Sequence, residues 1–182
     1  LGGTIMNSDT SKENFLKNFF KDWIIPILVA FLIAFIINKF LIFKIEIPSE
    51  SMVPTLNVDD RLFAHRVYNP ENLDRGDLVI FYFESKDELY IKRLIGLPND
   101  EITIRDGIVT VNGEELVEDY VINQLPFNGD YKVPEGSYFF LGDNRANSGD
   151  SRFWDYPYIE AKDIKGKAFI KVYPFNDIGF VK

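Results

Sequence analysis

The chain has 182 residues, 46% of them apolar, with 17 Phe, 9 Tyr, one His, no Cys and a net charge of −8. That length allows one domain plus a membrane segment, and the lack of cysteine excludes disulfides, thiol catalysis and Cys-ligated zinc. Four lysines against three acids leave residues 1–43 at +1 and residues 44–182 at −9, an acidic balance that argues against nucleic acid as a partner and against adhesion to anionic lipid by charge alone.

The first residues, Leu1-Gly2-Gly3-Thr4-Ile5, precede Met6. Gly-Gly can be encoded by a sequence resembling a ribosome-binding site, so these five read as an untranslated leader carried into the frame. Residues 1–22 form a short polar N-terminal segment with Lys12, Lys17 and Lys21. Residues 23–43 read as a transmembrane anchor. Ile24 to Ile37 is fourteen residues without a charge, and Phe40-Leu41-Ile42-Phe43 completes the run after Asn38-Lys39. About twenty helical residues rise roughly 30 Å, the thickness of a bilayer's hydrocarbon core. Trp23 stands where an interfacial aromatic belongs, Pro26 falls in a first turn that tolerates it, and Lys39 can snorkel. A cleaved signal peptide fits less well, because no small-x-small site follows; Lys44-Ile45-Glu46-Ile47 does. A buried core helix fits less well too, because the run is apolar all round. The lysine count leans towards an inside N-terminus.

Residues 44–182 read as a β domain. Ile45 and Ile47 alternate with Lys44 and Glu46, a short strand. Asp77 to Phe83 and Leu89 to Leu97 read as buried strands. Ile102-Thr103-Ile104 and Ile108 to Val111 flank Asp106-Gly107, and Asn112-Gly113 follows, the signature of short hairpins. Residues 120–136 read as a loop, so a small insert lies within about 100–137. Tyr138 to Leu141 and Lys167 to Val172 are further strands. The fold class expected is mainly β: an antiparallel sheet or barrel-like domain after one N-terminal helix.

Three segments carry chemistry. Ile47-Pro48-Ser49-Glu50-Ser51-Met52-Val53-Pro54-Thr55-Leu56 holds its serines between two prolines that fix φ and stop regular pairing. On its own it also fits an ordinary Ser/Pro turn. A serine nucleophile needs a base, and His65 in Ala64-His65-Arg66 has no setting that favours one. Lysine serves if burial brings its pKa down towards neutrality. Lys92, in Tyr90-Ile91-Lys92-Arg93-Leu94-Ile95, lies in an apolar strand. There Lys92 and Arg93 point to opposite faces, one inward and one to solvent. Alone, this segment also fits a snorkelling pair on an edge strand. Gly142-Asp143-Asn144-Arg145, with Ser148, Asp150 and Arg152 behind it, is a dense polar loop. A hydroxyl there can fix a lysine, and an Asp-Arg pair can brace the loop.

Together the three resemble the type I signal peptidase (leader peptidase) family, in the single-anchor form of Gram-positive bacteria. Its motifs are Pro-Ser-x-Ser-Met-x-Pro-Thr-Leu, Tyr-x-Lys-Arg-x-Ile-Gly-Leu-Pro and Gly-Asp-Asn-Arg-x-x-Ser-x-Asp-Ser-Arg, and the likeness runs from the anchor to about residue 172. The resemblance implies that Ser51 is the nucleophile and Lys92 the general base, with the Ser49 hydroxyl and Ser51 N–H as the oxyanion hole. Ser148 would orient Lys92. Asp150 and Arg152, with Asp143 and Arg145, would support that loop. The family often has Gly where this chain has Glu50. The implied activity is removal of signal peptides from exported preproteins after small-x-small, Ala-x-Ala-like sites, without metal or cofactor. The implied place is a bacterial cytoplasmic membrane, single-pass, with residues 44–182 outside. Ile47, Met52 and Ile91 are the pocket-lining expectations, drawn from proximity. Two other readings stand beside this one: a self-cleaving repressor-type Ser-Lys protease, which would need a DNA-binding domain, and a non-catalytic membrane-anchored β-domain that binds partners.

Overall fold

The computed structural model describes residues 17–181. The expectations placed on residues 1–16, the leader and Lys12 among them, lie outside the described residues. The chain divides into two compact units, Leu1–Leu41 and Ile42–Lys182. The described part of the first is one helix, α1 (Lys17–Leu41), long and apolar enough to cross a membrane by length and composition. Its core, Ile25–Ile36, is α-helical, and five-residue π-helical segments flank it on either side. Pro26 sits in the first turn of that α-helical part, where its missing N–H costs least. The large apolar side chains are exposed along the helix, Phe31 most of all at 76%. Helix ends at Leu41, and Ile42 and Phe43 already belong to a strand.

The second unit is mainly antiparallel β, the class the alternating patterns pointed to. Its strands are β1 (Ile42–Glu46), β2 (Arg61–Arg66), β3 (Leu78–Phe83), β4 (Glu88–Gly96), β5 (Glu101–Arg105), β6 (Ile108–Val111), β7 (Glu114–Glu115), β8 (Gly129–Lys132), β9 (Ser137–Leu141), β10 (Ile159–Glu160), β11 (Ile164–Tyr173) and β12 (Gly179–Phe180). The larger sheet runs β1-β2-β11-β3-β4-β9-β10, with β12 on β11; the smaller runs β7-β6-β5-β8.

The long apolar runs are strands buried on both faces. In β3, Leu78 and Ile80 enter one core with Ile47, Met52, Leu62 and Ile91, while Val79, Phe81 and Phe83 enter a second with Leu94, Tyr138 and Phe140. In β9, Tyr138 and Phe140 join that aromatic core, while Phe139 and Leu141 face a third core under the small sheet. A period of two on a sheet covered on both sides produces an unbroken apolar sequence.

The small sheet follows its turn chemistry. Asp106 and Gly107 have φ of 49° and 86°, and Asn112 and Gly113 have φ of 53° and 86°. Both residues of a two-residue hairpin turn of this hand need positive φ, which Asn, Asp and Gly tolerate. Within the segment read as a loop, Gly129–Lys132 forms β8 on β5. Its four residues are too few to show a period. β2 was not anticipated either; its inward Leu62 and Ala64 alternate with Arg61, Phe63 and His65. His65 itself is exposed, against the Phe169 ring.

Candidate active site

Register builds the site. Arg93 of β4 pairs with Leu141, the last residue of β9. The chain then turns through Gly142 and Asp143, so Asp143 arrives against Arg93. The arginine donates from Nε to Asp143 Oδ1 at 2.8 Å and from Nη2 to Oδ2 at 2.6 Å. Thr55, from the serine loop, donates to Asp143 Oδ2 at 2.5 Å. Asn144 N–H donates to Ser51 O at 3.1 Å, and Asn144 Nδ2 donates to Glu50 O at 3.1 Å. The three sequence segments therefore meet at one place, although 41 residues separate Ser51 from Lys92.

Ser51 and Met52 are buried in a short 3-10 turn, Glu50–Met52. Lys92 Nζ lies 2.7 Å from Ser51 Oγ and 3.3 Å from Ile91 O. Burial penalises the ammonium form and pushes the Lys92 pKa down to about 8, against the opposing pull of Asp150 and Asp143. Both carboxylates are already engaged by guanidinium groups: Asp143 by Arg93, and Asp150 by Arg152 at 2.8 Å from Nε and Nη2. Lys92 Nζ also lies 5.3 Å from the Tyr90 ring centroid.

Ser49 is exposed, with its Oγ 3.3 Å from Ser51 Oγ. Asp150 Oδ2 accepts from Gly142 N–H at 3.0 Å, and Arg152 Nη2 reaches Arg145 O at 2.7 Å. Arg145 in turn pairs with Glu118 at 2.5 Å. Gly142 is required by contact: a Cβ there would meet the Ser148 side chain and come within 2.6 Å of Ser51 O.

Three expectations need correction. Arg93 does not meet solvent; it is 2% exposed. Opposite faces of β4 do separate it from Lys92, but Asp143, Thr55 and Gly76 O bond its guanidinium and the Tyr120 ring stacks on it at 3.7 Å. Ser148 does not hydrogen-bond Lys92; its Oγ is buried without a partner, and Lys92 turns to Ser51 instead. Of the three pocket expectations, only Ile91 lines the cleft beside Ser51. Ile47 and Met52 turn into the core beneath it.

The cleft is about 530 Å³. It runs between Lys44–Glu46 of β1 and Glu88–Lys92 of β4, with Pro48, Ser49, Ser51 and Ile80 on its floor and rim. Sequence reasoning missed Ile45, Ile80, Leu89 and Tyr90 here, and missed Thr55 and Asn144 as structural ties. Tyr90, Thr55 and Asn144 were signalled by position inside the motifs rather than by residue type; Ile45, Ile80 and Leu89 lie outside the motifs and carried no such signal. Among the described residues no group of three or more His, Asp or Glu side chains can hold a metal ion.

A family model for signal peptidases, peptidase S26, matches residues 20–173. A signal peptidase I of Leptolyngbya laminosa is 40% identical over 145 residues, covering 73% of this chain and 70% of that protein. A signal peptidase I of Bacillus licheniformis is 36% identical over 154 residues, covering 78% of this chain and 82% of that one. A crystal structure of a signal peptidase I from Enterococcus faecalis V583 is 32% identical, with a TM-score of 0.46, covering 53% of this chain and 96% of that one.

Proposed function

This chain belongs to the signal peptidase family, peptidase S26, and on that premise we propose that Ser51 and Lys92 are its catalytic dyad, cutting exported preproteins after small-x-small sites. It is a serine endopeptidase of the signal peptidase I type. The observation that carries the dyad is the 2.7 Å approach of Lys92 Nζ to Ser51 Oγ inside a buried setting.

With Lys92 neutral, the contact reverses and Oγ–H donates to the Nζ lone pair. Oγ attacks the scissile carbonyl carbon as Nζ takes its proton. The oxyanion is held by the Ser49 hydroxyl and the Ser51 N–H. The Lys92 ammonium then protonates the leaving amine, the C–N bond breaks, and the acyl group stays on Ser51. A water gives its proton to Lys92 and attacks the ester; Oγ leaves and recovers that proton. Every proton that moves passes through Nζ, so the base has to be able to lose its charge.

The substrate reading rests on open strand edges. Pairing of β4 with β9 begins at Arg93, so among the described residues Glu88–Lys92 has a strand partner only in β3. Among the described residues β1 likewise pairs only with β2. An extended peptide can add to such edges by main-chain hydrogen bonds and present alternate side chains to one wall. Ile45, Ile80 and Ile91 make that wall apolar, which accords with small apolar side chains at alternate positions.

Helix α1 supports a single membrane anchor that ends at Leu41 rather than at residue 43, because Ile42 and Phe43 pair with β2, in a bacterial cytoplasmic membrane, with the β domain on the outer side where exported chains emerge. Protease added to intact cells should remove the acidic domain; protection until lysis would reverse the orientation. For the chemistry, preprotein cleavage in detergent should be lost in Ser51→Ala and in Lys92→Ala while both variants keep the folded β domain by circular dichroism. Retained cleavage in either would remove that residue from the dyad.

A further inference from the structure

We propose that Asn144, itself held by Asn123, is a positioning residue that aims the Ser51 N–H at the oxyanion by gripping the opposite end of the same peptide group. This rests on the reading above, in which the Ser51 N–H is an oxyanion donor.

The Glu50–Ser51 peptide is a planar unit whose C=O and N–H point in opposite directions when trans. Fixing one fixes the other. Glu50 O accepts from Asn144 Nδ2 at 3.1 Å and from Val53 N–H at 3.1 Å. The next carbonyl, Ser51 O, accepts from Asn144 N–H at 3.1 Å. One buried residue thus grips the carbonyls on both sides of the nucleophile's Cα.

A primary amide has a donor end and an acceptor end, and only the donor end can face Glu50 O. Asn123 sets that choice. Its Nδ2 donates to Asn144 Oδ1 at 2.9 Å, so a flipped Asn144 would bring two amino groups together at one end and two oxygens at the other. Asn123 is itself fixed in the chain. Its φ is 49°, which asparagine tolerates. Its carbonyl accepts from Ala146 N–H at 3.0 Å, and Ile122 beside it exchanges hydrogen bonds with Asp143 O and Arg145 N–H. The segment read from sequence as a loop therefore ends, through two amides, at the catalytic peptide group.

The test uses the full chain in detergent, with preprotein cleavage, a peptide aldehyde that mimics the tetrahedral oxyanion, and the cleaved signal peptide as a ground-state ligand. Asn144→Ala should lower kcat on the order of 10²-fold, approaching the loss of one oxyanion donor. Aldehyde affinity should fall by the same factor, while KM and signal-peptide affinity stay within about twofold. Asn123 is exposed, and glycine accepts its positive φ, so Asn123→Gly keeps the fold and should cost roughly fivefold to twentyfold in the same pattern. The pH midpoint of activity should not move in Asn123→Gly, because Lys92 and its charged neighbours are untouched. Losses shared equally by signal-peptide binding, or an Asn123→Gly enzyme with native kcat, would overturn the inference. Ser49→Ala separates the levels. If it loses kcat and the asparagine variants do not, positioning fails while the oxyanion hole stands; if it keeps native kcat, the Ser49 hydroxyl is no oxyanion donor, and aldehyde affinity unchanged in Asn144→Ala as well would overturn both the Ser51 N–H reading and this inference.

Discussion

Lys92 and Arg93 are adjacent on β4 and almost equally buried, at 5% and 2% exposure, yet their surroundings treat positive charge in opposite ways. On the Arg93 side, Asp143 forms a two-point ion pair, Gly76 O and Thr55 Oγ1 accept from the remaining donors, and the Tyr120 ring covers the plane. On the Lys92 side no carboxylate among the described residues pairs with the ammonium, which donates to a serine hydroxyl and one carbonyl. The Arg93 guanidinium is compensated by a carboxylate, a carbonyl, a hydroxyl and an aromatic ring. Lysine loses affinity for its proton because compensation is withheld. Burial alone does not make a base; burial without a counter-ion does.

Lys92→Arg should be as inactive as Lys92→Ala, a loss on the order of 10⁴-fold or more in preprotein cleavage, because arginine cannot accept a proton near neutral pH. An active Lys92→Arg enzyme would contradict the assignment. Across the strand, Arg93→Leu leaves the Asp143 carboxylate buried and unpaired. Denaturant unfolding should show a loss of about 3–5 kcal/mol. The freed carboxylate should also favour the Lys92 ammonium, moving the rise of activity to higher pH. A stable Arg93→Leu protein with an unmoved profile would mean that the two sides are independent.

Within the Lys92 side, Ser49→Ala should lower kcat by roughly 10²–10³ with a smaller change in KM. An effect confined to KM would make Ser49 a binding residue. Stability should carry the same signature as activity. A folded pKa of about 8 lies below the usual 10.5, so between these values the unfolded chain binds more protons than the folded one. Stability then rises with pH from about 8 to 10.5, is flat below, and differs by about 3 kcal/mol across the window through this one group. Lys92→Met should erase that slope in unfolding measured over pH 8 to 10.5. The smallest effect belongs to Tyr120→Leu, which removes the stacked ring from Arg93. Unfolding should weaken by about 0.5–2 kcal/mol, with cleavage near native.

Much of this was legible. Asp106-Gly107 and Asn112-Gly113 specify two-residue turns by residue type, and the apolar runs in β3, β4 and β9 read as strands from their length and composition. Ser51, Lys92 and the Gly142 loop were legible as segments because their chemistry is local to each. What was not legible is non-local. Period two puts Lys92 and Arg93 on opposite faces but does not say that both faces are covered. Glu118, Tyr120 and Asn123 sit in a segment without period or motif, and their partners Arg145, Arg93 and Asn144 lie 27, 27 and 21 residues away. The same holds for Ile47 and Met52. Proximity to Ser51 in sequence suggested a pocket, but whether a side chain lines a cleft or the core beneath it depends on backbone direction through an irregular turn.

The base role proposed for Lys92 beside Ser51 depends on a pKa that burial holds down to about 8. It is read most directly by NMR titration of the lysine Cε signals in the full chain labelled with ¹³C-lysine, with Lys92 assigned from the resonance missing in Lys92→Ala. A Lys92 midpoint near 8, with the exposed lysines near 10.5, is the result this account requires. A Lys92 that titrates with the exposed lysines would contradict it.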